Sequence, residues 1–172
     1  NRRSFYKYVQ PIWSINLRSK SNTSIIMLDI DDFKLINDSY GHALGDQVLV
    51  KLAETLQKEA RSGDILARWG GEEFLIFLPE TRLQDAVNIA ERVRNKVGSL
   101  QVTSAKGEKL AISASFGVAS NRNDHVVLDE LIASADQQLY RAKKQGRNCV
   151  CSDFSAGGDR GSEATSSDRP LQ

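Results

Sequence analysis

Apolar positions along the chain fall into short runs that alternate with stretches of helical periodicity. The run from Ser24 to Ile30 predicts a buried strand with an acid, Asp29, near its end. The polar stretch that follows is long enough for about two helical turns and is closed by Gly41. From Gly45, apolar residues recur at helical spacing, which predicts a helix that runs to about Arg61.

The next segment predicts a hairpin followed by a helix. The runs "ILARW" at 65–69 and "FLIFL" at 74–78 are expected to form an antiparallel strand pair. Thr81 and Gln84 have the spacing of a capping box, which predicts the start of a helix that Gly98 ends.

The rest of the chain predicts a second strand pair, a helix and an edge strand. The segments "LQVTS" at 100–104 and "LAISASFGVAS" at 110–120 predict a second strand pair. A helix from Leu128 is stopped by Gly146, and "NCVCSDF" at 148–154 is expected to be an edge strand. Because strands alternate with helices while two strand pairs are hairpins, we expect an α+β fold. Helices would pack on a mixed sheet as an α/β sandwich with a ferredoxin-like arrangement of elements.

Composition and charge narrow the class of protein. The chain has 172 residues, enough for one domain with a substantial core. We expect the folded domain at 1–154 and a disordered tail at 155–172, where Ser, Gly and charged residues dominate without periodicity. The net charge is +1, so no sequence-wide attraction to nucleic acid or to anionic lipid is expected.

No apolar run reaches the length of a membrane span, and nothing resembles a signal peptide. Cys149 and Cys151 lie two residues apart, too far for an easy disulfide on a strand, and no further cysteine completes a zinc set. A reduced, cytoplasmic setting is therefore expected.

Three acidic residues and two glycines suggest chemistry at one sheet edge. Asp29 closes one predicted strand, whereas Glu72 and Glu73 follow Gly70 and Gly71 on the predicted hairpin. If the two strands are neighbours, the carboxylates converge and repel each other unless a cation such as Mg²⁺ neutralises them. Glycines without side chains would let a phosphate approach the backbone closely. A solvated surface hairpin, with Asp29 in a strand-end cap or salt bridge, is the alternative interpretation.

Four motifs, in order, resemble the GGDEF-domain diguanylate cyclases. "GGEEF" at 70–74 is similar to the Glu variant of the family signature, and "DIDDFKLINDSYGHALGDQVL" at 29–49 resembles its second motif. "NRRSF" at 1–5 resembles the end of the motif that opens the domain, and "ADQQLYRAKKQGRN" at 135–148 resembles the C-terminal motif. The resemblance covers roughly 1–154. It implies a mixed five-stranded sheet ringed by helices, related to nucleotidyl-cyclase palms, and condensation of two GTP into cyclic di-GMP plus two pyrophosphates.

The resemblance also implies roles for individual residues. Asp29, the Ile30 carbonyl and Glu72 would hold Mg²⁺ or Mn²⁺, two ions per nucleotide site, and Glu73 is the candidate base for the ribose 3′-hydroxyl. Metal activation could do that work instead. The expected substrate-binding residues are Asn37 and Asp46 at guanine, Phe33 (through backbone amides), Lys34, Lys143 and Arg147 at phosphates, and Gly70 and Gly71 as the landing surface. Outside this motif, Asn37 and Asp46 would be interpreted as helix caps.

A second site is expected ahead of the signature strand. Arg61 and Asp64 match the family's R-x-x-D product-inhibition motif, and Arg92 on the following helix is a candidate partner for them. The alternatives are a local Arg61–Asp64 ion pair and a solvated helix charge at Arg92. Trp69, beside Gly70, is expected to be a strand residue that packs on the sheet.

Two rival functions stay open at this point. One is a catalytically silent module that binds cyclic di-GMP or GTP, against which the intact Asp29, Glu72 and Glu73 argue. The other is a different purine nucleotidyl cyclase, against which Asp46 argues, because an acid can accept from guanine N1–H and N2–H₂. The expected partners are GTP, cyclic di-GMP and a second copy of the chain. A missing N-terminal sensor or dimerisation module, in some family members anchored in the inner membrane, would drive that dimer.

Overall fold

A computed structural model describes residues 1–121 and 127–153, which form five helices and seven strands. The helices are α1 (Arg2–Arg18), α2 (Phe33–Tyr40), α3 (His42–Glu59), α4 (Leu83–Gly98) and α5 (Leu128–Lys144). The strands are β1 (Thr23–Ile30), β2 (Ile65–Arg68), β3 (Glu73–Pro79), β4 (Val102–Thr103), β5 (Lys109–Leu110), β6 (Ala114–Ser120) and β7 (Val150–Ser152). The tail expected at 155–172 lies outside the described residues.

Five of the strands form one mixed sheet in the order β2-β3-β1-β6-β7. The central strand β1 is antiparallel to both β3 and β6, whereas β7 is parallel to β6. Every residue of β1 is buried because helices cover both faces of the sheet. The predicted α+β sandwich with a mixed five-stranded sheet is confirmed.

The two faces of the sheet carry separate hydrophobic clusters. Ile26, Leu28 and Ile30 of β1 pack on the side of α3 and α4, and Ile25 and Met27 pack on the side of α1 and α5. This alternation follows from the two-residue period of a strand. The central strand is therefore held from both sides, and the residues at its end are placed with little freedom.

Helix α1 was not expected from the sequence, although its buried residues carry a helical signal. Phe5, Val9 and Trp13 recur every four residues and are at most 3% exposed. Asn1 caps the helix by accepting a hydrogen bond from the Ser4 amide at 3.0 Å. The presence of Pro11 inside the helix, together with the short run of sequence ahead of β1, hid this pattern.

Two local predictions about helix starts are wrong. Helix α3 begins at His42 rather than Gly45, because the chain re-enters helix directly after Gly41. Helix α4 has no capping box: Arg82 is its N-cap, and the Thr81 hydroxyl donates to the Pro79 carbonyl instead. Local hydrogen bonding of a threonine within the preceding turn competes with helix capping.

The second predicted strand pair is correct in part. A short hairpin joins β4 and β5, but it is a separate two-stranded sheet. The longer strand β6 begins four residues after Leu110 and joins the main sheet. Between them, the Ser113 carbonyl accepts from the Asp31 amide at 2.9 Å, which draws the chain away from the hairpin.

Among the described residues, no helix is both long enough and apolar enough to cross a bilayer.

Packing of α5 on β6 leaves no room for a side chain at Gly117. A Cβ there would lie 2.1 Å from both the Ala135 carbonyl oxygen and the Leu139 nitrogen, which are backbone atoms of α5. We therefore expect Gly117→Ala to destabilise the fold by at least about 1–3 kcal/mol, as overpacking does. Urea unfolding measures the change.

Gly98→Ala is the matched control, because a Cβ at Gly98 meets nothing within 4 Å. This control should be neutral or stabilising by up to about 1 kcal/mol, since alanine is the better helix former. Equal stability of the two variants would contradict the close approach of α5 to β6.

Candidate functional site

The ends of β1 and β3 bring Asp29 and Glu72 together, as the sequence predicted. Asp29 pairs in register with Glu73, and the Ile30 amide donates to the Glu72 carbonyl at 3.4 Å. Asp29 is 5% exposed, and the Lys143 ammonium from the end of α5 lies 2.6 Å from its Oδ2. Three elements that are distant in sequence thus meet at one edge of the sheet.

Electrostatics at this edge leave negative charge incompletely compensated. Burial raises the pKa of the Asp29 carboxyl, and the Lys143 ammonium opposes that rise. Burial also raises the pKa of Glu72, and the neighbouring Asp29 charge raises it further. Two carboxylates in a partly dry position therefore share one ammonium, an arrangement that an additional cation would stabilise.

The donor set fits a hard divalent ion that keeps much of its water. Within residues 1–121 and 127–153, no group of three or more His, Cys, Asp or Glu side chains could hold a metal. The ligands that the family resemblance implies are the Asp29 and Glu72 carboxylates and the Ile30 main-chain oxygen. Mg²⁺ suits such a set because it binds through one or two carboxylates and completes its shell with water and substrate phosphate.

The glycine turn is shaped by the carboxylate of Glu73. A Cβ at Gly70 would lie 2.4 Å from Glu73 Oε2, whereas a Cβ at Gly71 would meet nothing within 4 Å. Gly70 therefore makes room for the Glu73 side chain, and Gly71 presents bare backbone to solvent. The Arg68 guanidinium donates to the Gly71 carbonyl at 2.6 and 3.1 Å, which ties the turn to its own strand.

Asn37 packs against Gly45, the residue that precedes Asp46. A Cβ at Gly45 would lie 1.9 Å from Asn37 Oδ1, so the Asn37 side chain packs directly on the first turns of α3, beside Asp46. The Asn37 Oδ1 atom is buried without a hydrogen-bond partner among the described residues. Buried polar atoms are usually paired, so this acceptor is available to a ligand rather than used by the fold.

The start of α2 lies beside the same edge of the sheet. Its N-cap, Asp32, adopts a left-handed conformation with φ of 52°, and its carboxylate is 3.4 Å from the Arg147 guanidinium. The Phe33 ring is buried, whereas Lys34 is exposed. Free amides at the start of a helix attract anions, so this corner combines helix amides with the cations Lys34 and Arg147.

Asp31 is a residue of the site region that the sequence did not assign. Its buried carboxylate accepts from the Ser113 and Ser115 hydroxyls, both at 2.6 Å, and from the Asn148 amide at 3.0 Å. Arg94 of α4 donates to Asn148 from the other side. The sequence around Asp31 does not indicate these partners, because they lie more than eighty positions away along the chain.

Asp31 and Arg94 hold a strained turn at residues 146–148. Gly146, Arg147 and Asn148 have φ values of 110°, 67° and 45°, a run of left-handed residues that costs free energy wherever a side chain is present. Asp31 and Arg94 therefore position the segment that carries Arg147, one of the expected phosphate-binding residues.

The predicted second site lies at the opposite end of β2. The Asp64 carboxylate accepts from the Arg61 backbone amide at 2.7 Å, so the two residues form a turn rather than a side-chain ion pair. Arg92 is bound to Glu59 at 2.6 Å, and Lys96 also contacts Glu59. Because Glu59 ends α3 two residues before Arg61, this ion pair draws Arg92 toward the corner that carries Arg61.

The raised pKa of Glu72 predicts a pH-dependent effect of its removal. In the folded state the pKa lies above its ordinary value of 4.5, so the folded protein binds more protons than the unfolded chain between those two values. The contribution of Glu72 to stability therefore falls as the pH rises through this window. Without divalent ions, Glu72→Gln should melt at a higher temperature than wild type at pH 7.5, and the difference should vanish near pH 4.5.

Glu54→Gln is the control, since Glu54 is an exposed carboxylate on α3. It should change the melting temperature little at either pH. A Glu72→Gln variant that is no more stable than wild type at pH 7.5 would contradict the proposed repulsion with Asp29.

Comparison with known proteins agrees with this arrangement. The family described as "Diguanylate cyclase, GGDEF domain" matches residues 1–149. The diguanylate cyclase DgcM of Escherichia coli K12 is 42% identical over 150 residues, which are 87% of this chain and 35% of DgcM. The chain thus spans about a third of that relative.

Solved structures give the same result. The GGDEF domain of DgcB from Caulobacter crescentus, in complex with c-di-GMP, has a TM-score of 0.84 and 30% identity, covering 88% of this chain and 90% of that one. The active GGEEF domain of a diguanylate cyclase from Vibrio cholerae has a TM-score of 0.82 and 34% identity, covering 88% and 96%. The chain belongs to the GGDEF-domain family of diguanylate cyclases.

Proposed function

We propose that this chain is the catalytic domain of an enzyme that condenses two GTP into cyclic di-GMP and releases two pyrophosphates. The observation that carries the proposal is the convergence of Asp29 and Glu72 beside the bare Gly70–Gly71 turn. The relative DgcM is named a diguanylate cyclase, and the Vibrio cholerae GGEEF domain is described as active.

Asp29, Glu72 and the Ile30 carbonyl would hold Mg²⁺ or Mn²⁺, with two ions at each nucleotide. Such ions supply charge neutralisation at the phosphates and activation of the attacking hydroxyl. Lys143 already neutralises part of Asp29 and would remain available to a phosphate oxygen. The excess of carboxylate charge at this edge is what makes cation binding favourable there.

The nucleotide would lie between the glycine turn and the start of α2. Asp46 and Asn37 would accept from the N1–H and amino groups of guanine, since Asp46 is exposed and Asn37 has an unpaired amide oxygen. The phosphates would be contacted by the Phe33 amide, Lys34, Lys143 and Arg147. Gly70 and Gly71, which have no side chains, would let the phosphates approach the backbone closely.

Glu73 is the candidate base. It would accept the proton of the ribose 3′-hydroxyl as that oxygen bonds to the α-phosphorus of the facing nucleotide and pyrophosphate leaves. Its carboxylate lies over Gly70, directly beside the turn on which the nucleotide would land. Each nucleotide provides one attacking hydroxyl and one α-phosphate, so two such steps close the ring.

The reaction requires two copies of this domain. A single chain offers one guanine site and one GGEEF turn, so it holds only half of the reacting pair. A homodimer with facing turns completes the pair, and an N-terminal module would bring the two domains together.

Arg61, Asp64 and Arg92 would form a separate product site. Asp64 is committed to the Arg61 backbone, which leaves the Arg61 guanidinium without an ion-pair partner among the described residues. The product-bound structure of the DgcB GGDEF domain supports affinity for cyclic di-GMP within this family. Product bound here, at the far end of β2 from the chemistry, would inhibit by holding two domains apart.

The main rival is a catalytically silent module that binds GTP or cyclic di-GMP. Incubation with GTP and Mg²⁺, read by chromatography, separates the two functions. We expect wild type to form cyclic di-GMP, to prefer GTP over ATP, and to gain specific activity as protein concentration rises.

Glu72→Gln should abolish turnover while leaving the fold intact, because it removes a charge with little change in volume. Glu54→Gln should keep wild-type activity. Near-normal Mg²⁺-dependent product formation by Glu72→Gln would exclude the proposed metal role.

The product site predicts that Arg61→Ala weakens cyclic di-GMP binding by roughly ten- to a hundredfold, since hydrogen bonds to charged groups contribute about 1.5–3 kcal/mol. Calorimetric titration measures the affinity, and the variant should keep its GTP affinity and accumulate more product. Lys58→Ala is the control, because it removes an exposed positive charge from the same end of α3. Equal product affinity in wild type and Arg61→Ala would refute the site.

A further inference from the structure

We infer that Arg2 is a positioning residue for the catalytic glycine turn, an assignment that rests on the function proposed above. Arg2 Nε donates to the Trp69 carbonyl at 2.9 Å, across sixty-seven positions of sequence. The same guanidinium lies 4.6 Å from the centre of the Trp69 ring. One side chain thus contacts both the backbone and the indole of the residue directly before Gly70.

Trp69 lies just beyond the end of β2, contrary to the expectation of a strand residue. Its ring packs on α1, with the Phe5 ring edge-on at 5.4 Å and the Tyr6 ring at 6.1 Å. Its amide donates to the Glu73 carbonyl at 2.7 Å. Both main-chain polar groups of Trp69 are therefore engaged, one across the hairpin and the other by α1.

The glycine turn needs such external support. Glycine loses more backbone conformational freedom on folding than any other residue. No atom lies within 4 Å of where a Cβ at Gly71 would be, so neighbouring groups do not pack around this residue. Arg68 binds the Gly71 carbonyl from the strand side, and Arg2 binds the Trp69 carbonyl from the helix side. Guanidinium groups thus hold the carbonyls of Trp69 and Gly71, the residues on either side of Gly70. Glu72 is the next residue after Gly71.

Arg2 lies in the first turn of α1, a helix that is held firmly against the rest of the domain. Phe5 and Val9 are buried under the sheet, and the Tyr6 hydroxyl donates to Asp129 of α5 at 2.6 Å. Burial and the Asp129 carboxylate raise the pKa of Tyr6 to about 12, so this donor stays protonated at physiological pH. The first turn of α1 therefore joins the turn that carries Glu72 to the helix whose Lys143 pairs with Asp29.

The consequence is a measurable effect on metal binding without a contact to the metal. Arg2 acts through Trp69 on the orientation of Glu72, as outer-shell partners act on metal ligands, and their loss typically lowers metal affinity or activity 10–100-fold. The guanine-reading candidates Asn37 and Asp46 belong to α2 and α3, away from this contact. Loss of Arg2 should therefore lower metal affinity and kcat while leaving the KM for GTP nearly unchanged.

The test compares Arg2→Ala with Arg3→Ala, which removes the neighbouring exposed arginine. Titration with Mn²⁺ alone, following the electron paramagnetic resonance signal of the free ion, measures metal affinity independently of turnover. We expect Arg2→Ala to bind Mn²⁺ roughly tenfold more weakly, with kcat reduced by a similar factor and the KM for GTP within about twofold of wild type. Arg3→Ala should match wild type in all three.

Arg2→Lys serves as the second variant, because it keeps a positive charge and a donor but loses the planar guanidinium. We expect values between those of wild type and Arg2→Ala. Mn²⁺ affinity and kcat of Arg2→Ala equal to those of Arg3→Ala would overturn the role of Arg2 while leaving the proposed function standing. A wild-type chain that neither binds Mn²⁺ nor forms product would overturn the proposed function and this role with it.

Discussion

The pairing of β1 with β3 is the constraint on which the rest of this domain depends. It sets Asp29 opposite Glu73 and buries the Asp29 carboxylate at the end of a strand covered on both faces. Burial of a carboxylate is unfavourable unless charge compensates it, and among residues 1–121 and 127–153 the one cation paired with Asp29 is the ammonium of Lys143. The incompletely compensated charge lowers stability at the edge that carries Asp29, and a bound cation would restore that stability. The adjacent glycine turn leaves bare backbone beside the same place.

Several of the contacts that shape this edge come from distant parts of the chain. Asp31 is satisfied by two serine hydroxyls ahead of and within β6 and by the amide of Asn148, and Arg94 holds the same asparagine from α4. The left-handed turn that carries Arg147 is therefore stabilised from two sides. A phosphate-binding cation on a free loop would lose conformational entropy on binding, whereas one on a held turn has already lost it during folding. Under the proposed function, the supporting residues would preorganise Arg147 for a phosphate.

Much of this could be predicted from the sequence, and the failures have physical causes. The apolar runs identified β1 and β3 because a strand buried on both faces has few alternatives, whereas β2, a half-buried edge strand, was recognised as the other arm of the hairpin. The spaced acids correctly indicated convergence at one edge. The roles of Asp31 and Arg2 could not be predicted, because their partners Ser113 and Trp69 are set by tertiary packing rather than by local pattern. The capping box at Thr81 failed for a local reason, since its hydroxyl found a nearer acceptor in Pro79. Helix α1 carries a four-residue period of buried apolar residues, which Pro11 inside the helix obscures.

Helix α1 connects these observations. Its buried face packs against the sheet beside α5, while its first turn contacts Trp69 at the base of the glycine turn. A displacement of α1 would therefore move the Trp69 carbonyl, and with it the peptide that precedes Gly70. Glu72 lies on this turn, whereas Asp29 lies on the buried central strand, so Glu72 is the carboxylate that such a displacement would move. Under the inferred role of Arg2, the spacing of the two carboxylates depends on how α1 packs, so a helix that contributes neither acid sets their geometry.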